Sequence, residues 1–214
     1  MWDKLDYKKE YKDLYQPGRK PVLIDVPPIS MFLIDGKGDP NEEGGEYQAA
    51  MSALYAVTFT LKMSKMGAWQ PEGYFDYVLP PLEGFWKRAD GDPDLMAAPK
   101  SSWLWTSGLR CPEYCTPQVF DWALEECRRK KPEVDTSKLR VETVEEGLCV
   151  QCLHVGSYES ERATMDQMLA FRDAQGLADG HGPTRLHHEI YLGDPRKTPP
   201  EKWRTILRLP VERR

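Results

Sequence analysis

No run of eighteen apolar residues occurs in these 214 residues, and the opening Met1-Trp2-Asp3-Lys4 has no apolar core behind its charges. Neither a membrane span nor a secretory leader is therefore expected. Basic residues number 29 against 34 acidic ones, a net charge of −5, so the chain has no general attraction for phosphates and nucleic acid is not an expected partner. Gly36-Lys37-Gly38 lacks phosphate-loop spacing, and no Gly-x-Ser-x-Gly nucleophile elbow is present. Five cysteines, an odd number in a chain too long to need a disulfide framework, point to reduced thiols and a cytoplasmic protein. Cys149 and Cys152 fall in a β-type run where they point to opposite faces, and His187 and His188 are adjacent, so neither pair can share one metal. No metal and no cofactor are expected.

With 40% apolar and 29% charged residues, the composition is that of an ordinary globular chain. A chain of this length buries roughly 70% of its extended surface on folding without a staple. Residues 1–20 read as a charged N-terminal arm, and residues 21–214 as one domain. Val22 to Ile24 and Ile29 to Ile34 are strand-like runs separated by Pro27-Pro28, and Tyr47 to Leu61 carries apolar residues at helical spacing. Tyr74 to Leu79, Leu82 to Trp86 and Trp103 to Leu109 read as strands. Thr116-Pro117 is a helix start, a capping hydroxyl followed by proline in the first turn, and that helix closes on the basic run Arg128 to Lys131.

The order then repeats. Val141 to Gly156 is strand, Glu145-Glu146-Gly147 turn and strand, followed by a helix over roughly Glu159 to Gln175 and a strand at His188 to Leu192. The expected fold is α+β: two β-β-α-β-β halves, about 21–110 and 138–211, related by a pseudo-two-fold axis and joined by a helix near 116–131, with an antiparallel sheet curved around a central ligand cleft. Placing Leu82-Glu83-Gly84-Phe85-Trp86 over His188-Glu189-Ile190-Tyr191-Leu192 matches Glu83 with Glu189 and Phe85 with Tyr191, and predicts both carboxylates on one cleft. Glu189 and Tyr191, two apart on a strand, share a face. A sheet face bearing Trp86, Trp105, Tyr55 and Tyr191 around one or two glutamates would bind flat, apolar or cationic molecules. Burial there would raise a glutamate's pKa into the range useful for acid and base work.

Gly147-Leu148-Cys149-Val150-Gln151, Leu153-His154-Val155-Gly156-Ser157-Tyr158 and His187-His188-Glu189-Ile190-Tyr191-Leu192-Gly193-Asp194-Pro195-Arg196 resemble the GyrI-like small-molecule-binding domain family. So do Leu82-Glu83-Gly84-Phe85-Trp86, Trp105-Thr106 and the ending Thr198 to Arg208, with Lys87 and Ser157 standing where the family usually has tryptophan and proline. The resemblance implies a duplicated bacterial fold whose cleft binds bulky apolar, often cationic drugs and other xenobiotics over a glutamate that maps to Glu189. It further implies, through stand-alone members, detoxifying hydrolysis of strained cyclopropane-bearing alkylators. The catalytic set would be Glu189, Tyr191 and Glu83, and the ligand contacts Glu83, Phe85, Trp86, Trp105, Tyr55, Glu189 and Tyr191. A drug-sequestering module without turnover, or a protein-interaction module of the gyrase-inhibitor type, are the alternatives. The oligomeric state has no signature in the sequence.

Overall fold

The apolar runs of period two become nine antiparallel strands in a computed structural model that describes residues 4–92 and 94–214. They are β1 (Val22–Val26), β2 (Ile29–Lys37), β3 (Leu82–Arg88), β4 (Trp103–Arg110), β5 (Arg140–Val144), β6 (Gly147–Val155), β7 (Leu177–Asp179), β8 (His187–Tyr191) and β9 (Arg204–Arg213). The helices are α1 (Tyr7–Glu10), α2 (Lys12–Tyr15), α3 (Glu46–Lys62), α4 (Pro117–Lys130) and α5 (Glu161–Ala174). Thr116 caps α4 by accepting the Val119 amide, as its sequence requires.

The strand order is β1-β6-β9-β8-β3-β4-β2-β5, with β7 beside β9. Exchanging β1 with β5, β2 with β6, β3 with β8 and β4 with β9 returns the same order reversed, so the duplicated halves meet at a pseudo-dyad between β3 and β8. Each half lends its first strand to the other: β1 pairs with β6, and β5 with β2. Only Pro27-Pro28 joins β1 to β2, and only Glu145-Glu146 joins β5 to β6. Such links reach about 10 Å, whereas six strand spacings of a flat sheet cover about 29 Å, so the sheet must curl until its edges approach.

The two faces have different roles. On the helix face, Leu54, Val57 and Leu61 of α3 join Phe32 and Ile34 in the larger apolar core. Met168 of α5 packs with Val150, Cys152, Leu207 and Leu209 in a smaller one. Cys149 belongs to the larger core, so the two cysteines of β6 do diverge.

The opposite face is covered by the N-terminal arm, which is not the solvated segment that its charge suggests. Of the arm, residues 1–3 lie outside the described residues. Tyr7, Leu14 and Tyr15 are buried, and Arg110 lies over the Tyr7 and Tyr11 rings at 4.6 and 4.1 Å. Tyr7, Leu14 and Tyr15 turn inward while Lys9, Glu10, Lys12 and Asp13 stay exposed, so a largely charged segment still docks by its apolar side chains. Residues 74–79 form no strand; Tyr77 makes only a single bridge to Leu5, because this segment covers the arm instead of extending the sheet.

Candidate functional site

Glu189 lies on β8 between the two apolar cores, on the helix face and directly paired with Gly84 of β3. Glu189 is 7% exposed, and its carboxylate is held at both oxygens. The Tyr191 hydroxyl donates to Oε2 at 2.8 Å, and His187 Nε2 lies 3.1 Å from Oε1. Trp86 Nε1 in turn donates to the Tyr191 hydroxyl at 3.1 Å. Period two places His187, Glu189 and Tyr191 in one row, and the antiparallel register adds Trp86 beside them. Gly84 makes this possible: a Cβ there would stand 2.6 Å from Trp86 Nε1.

Aromatic rings enclose the carboxylate. Tyr47 of α3 stacks on Trp86 at 5.9 Å and meets Trp105 edge-on at 5.0 Å, while Trp103 meets Trp86 edge-on at 5.6 Å. From the other half, Tyr158 meets Tyr191 edge-on at 5.9 Å and lies tilted against Trp203 at 4.8 Å. Burial, reinforced by the Glu189 charge, drives the Tyr191 phenol well above its ordinary pKa, so it stays a hydrogen-bond donor.

Glu161, in the first turn of α5, is a second buried carboxyl, 5% exposed, with its Oε1 unpartnered. Burial, and then repulsion from Glu189 and Glu159, hold its pKa well above the carboxylate range, with Lys100 acting in the opposite sense. Trp105 Nε1, Ser107 Oγ and His187 Nδ1 are also buried without partners among the described residues.

Several expected members stand elsewhere. Glu83 does not share the cleft. It pairs with Ile190, one residue out of the expected register, and a one-residue slip turns a side chain to the other face. There it receives the Tyr15 hydroxyl at 3.1 Å and lies 3.0 Å from His188 Nε2. Phe85 follows it, stacked on His188 at 4.0 Å. A hollow of about 600 Å³ lies on this arm face, bordered by Phe85, Leu33, Lys87, Leu104, Thr106 and Leu186. Tyr55 is 40% exposed and, among the described residues, makes no ring contact with the cleft; Tyr47, two turns earlier, takes that position.

The arm face carries a separate charge cluster. His188 Nδ1 lies 2.8 Å from Glu146 Oε1, and Arg208 donates to Glu146 Oε2 at 3.0 Å. Burial alone would lower the His188 pKa, but Glu146 and Glu83 outweigh it and raise it. Burial likewise opposes ionisation of Glu146, yet His188 and Arg208 bring its pKa down to about 2. Arg208 also donates to the Leu14 carbonyl at 2.7 Å, and Gln151 to that of Asp13 at 2.6 Å, so this cluster fastens the arm. Tyr158 and Trp203 flank the ends of β6 and β9, and Tyr47 stands in the apolar stripe of α3, where an aromatic reads as core. Glu161 and Glu146 read as ordinary first-turn and turn acids.

Residues 116–212 match the family model of the GyrI-like small molecule binding domain. Three solved structures bear comparison. An uncharacterized conserved protein from Listeria innocua is 51% identical with a TM-score of 0.91, covering 98% of this chain and 100% of its own. A hydrolase from Listeria innocua is 49% identical with a TM-score of 0.89, again covering 98% and 100%. The EcmrR C-terminal domain, at 12% identity and a TM-score of 0.52 over 91% of this chain and 98% of its own, shares the fold. No curated protein matches the chain. No helix among the described residues is long and apolar enough to cross a membrane.

Proposed function

The chain belongs to the GyrI-like small molecule binding domain family, and from that membership we propose that its helix-face cleft takes bulky, flat, apolar or cationic xenobiotics and adds water to strained cyclopropane-bearing alkylators among them. The observation that carries the reading is Glu189: a buried carboxylate on the pseudo-dyad, fixed at both oxygens and walled by aromatic rings from both halves. Aromatic faces and a carboxylate together favour flat and cationic ligands. The half-buried rings of Tyr47, Tyr158 and Trp203 are those an entering ligand displaces. The 49% identical Listeria innocua protein is described as a hydrolase, which supports turnover.

In the proposed reaction, Glu189 takes a proton from water, and the water oxygen bonds to the ring methylene. The strained C–C bond breaks toward the conjugated carbonyl. His187 and Tyr191 hold the base in place, and stacking between tryptophans aligns the ring carbon with the water, effects of roughly 10²–10⁴ in rate for a positioned base. Glu83, on the other face, takes no part. The test is product formation from a spirocyclopropyl cyclohexadienone by wild type and Glu189→Gln at saturating ligand. Turnover by wild type and a loss of at least 10²-fold in the variant are expected. Tight binding by both with no rate above buffer would instead make the chain a sequestering module.

A further inference from the structure

We propose that Glu161 is the proton donor of the cleft, giving its hydrogen to the carbonyl oxygen of a dienone substrate as the strained ring opens. The inference rests on the hydrolytic reading above and supplies the half of the chemistry that Glu189 leaves undone, because the electron pair released by ring opening arrives on an oxygen that must be protonated.

Tyr191, expected from the sequence to serve that oxygen, is already committed. Its hydrogen points at Glu189 Oε2 and its oxygen receives the Trp86 N–H. Glu161 is uncommitted: Oε1 is buried and has no partner among the described residues. It opens α5 three residues after Tyr158, whose ring abuts Tyr191, and lies within electrostatic reach of Glu189, Tyr191 and Tyr158. The charged and titratable groups acting on it are Glu189 of β8, Glu159 of the preceding turn and Lys100 ahead of β4, and it acts in turn on Tyr191 and Tyr158. Burial and the Glu189 charge favour its protonated form. Two carboxyl groups in one site with different surroundings divide base and acid between them.

The step balances. Water gives one proton to Glu189 and its oxygen forms a bond to the ring methylene. The C–C bond of the cyclopropane breaks, and its electron pair moves through the dienone to the carbonyl oxygen. The Glu161 O–H bond breaks to make a phenol. Glu189 is left protonated and Glu161 ionised, and one proton passing from the first to the second restores the starting state.

Two measurements decide the matter. With the spirocyclopropyl cyclohexadienone, Glu161→Gln should lower kcat by about 10²-fold with little change in KM, and should remove the fall in kcat that wild type shows as rising pH ionises Glu161. An unchanged kcat overturns the proposal. Independently of turnover, a 4,4-dimethylcyclohexadienone, which has no ring to open, should bind with its infrared C=O stretch lower in wild type than in Glu161→Leu. Equal frequencies, or a shift lost in Glu189→Gln but kept in Glu161→Leu, overturn it as well. Glu161→Leu replaces an unpartnered buried carboxyl with an apolar group of similar volume, so it should fold with a Tm at or above that of wild type. If wild type binds the cyclopropane compound without turning it over, the hydrolytic reading fails and the infrared comparison alone judges Glu161.

Discussion

Glu189 and Gly84 face each other across the central strand pair, and the glycine's missing side chain is filled by the indole of Trp86, which thereby reaches the Tyr191 hydroxyl. One half of the pseudo-dyad supplies the carboxylate, the other the space that lets an aromatic ring lie beside it.

Gly84→Ala should therefore damage the site without touching the carboxylate. Its Cβ would stand 2.6 Å from Trp86 Nε1, so the indole must turn away from Tyr191. A destabilisation of about 1–3 kcal/mol is expected, as for other overpacked sites. Ligand titration followed by tryptophan fluorescence should show about tenfold weaker binding. Unchanged affinity would mean that the position of Trp86 does not matter to the ligand.

Tyr191→Phe keeps the ring and removes one hydroxyl, stranding the buried Trp86 N–H and freeing Glu189 Oε2. The lost partner costs about 1–3 kcal/mol. Thermal melting should register that loss, and turnover should drop more than affinity for a neutral planar ligand.

On the arm face, Arg208→Met should be far more harmful than Tyr15→Phe. Arg208 is paired with Glu146 and bound to the Leu14 carbonyl, so its removal leaves a buried carboxylate short of one partner, a cost of about 3–5 kcal/mol. Tyr15→Phe removes one hydrogen bond to Glu83, worth about 1 kcal/mol. Urea midpoints give the ranking, and limited proteolysis of residues 4–18 should report the loosened arm in both variants.

Stability should fall on both sides of neutrality for opposite reasons. Glu146 has a folded pKa of about 2, below its ordinary 4.5, so its contribution is complete above 4.5 and disappears as pH falls toward 2, on the order of 3 kcal/mol in all. His188 has a raised folded pKa, so its contribution is complete below its ordinary 6.5 and is lost as pH climbs through the raised value. Denaturant midpoints against pH should show both limbs. Glu146→Gln should flatten the acid limb; a limb of undiminished depth in that variant would assign it to another group.

Much of this was legible in the chain. Alternation fixed the common face of Glu189 and Tyr191, the Thr116-Pro117 signal fixed the start of α4, and the repeat of strand, strand, helix, strand, strand fixed the pseudo-dyad. The register between halves was misread by one residue, because two glutamates in similar surroundings form an attractive match while the true counterpart of Glu189 is a glycine with nothing to match. The docking of the arm is not legible locally, because its partners lie far along the chain: Arg208 and Gln151 on the Leu14 and Asp13 carbonyls, and Arg110 and Glu113 on Tyr7. Glu161 was invisible for a different reason: an acidic residue in a first helical turn suits the helix dipole whether or not it has any other role.

The exchange of opening strands has a consequence for the life history of the fold. A chain cut between α4 and β5 would yield two fragments, each holding a strand that belongs in the other's half of the sheet, so each alone would present a raw edge and lack the neighbour that covers it. The fragments should complement one another only when mixed, and a single-repeat ancestor could have closed its sheet only by embracing a second copy of itself. In the intact chain the same entanglement makes the first strand wait for the sixth, so nascent protein stays incomplete until its second half has emerged, and folding is dominated by slow pairings between distant segments.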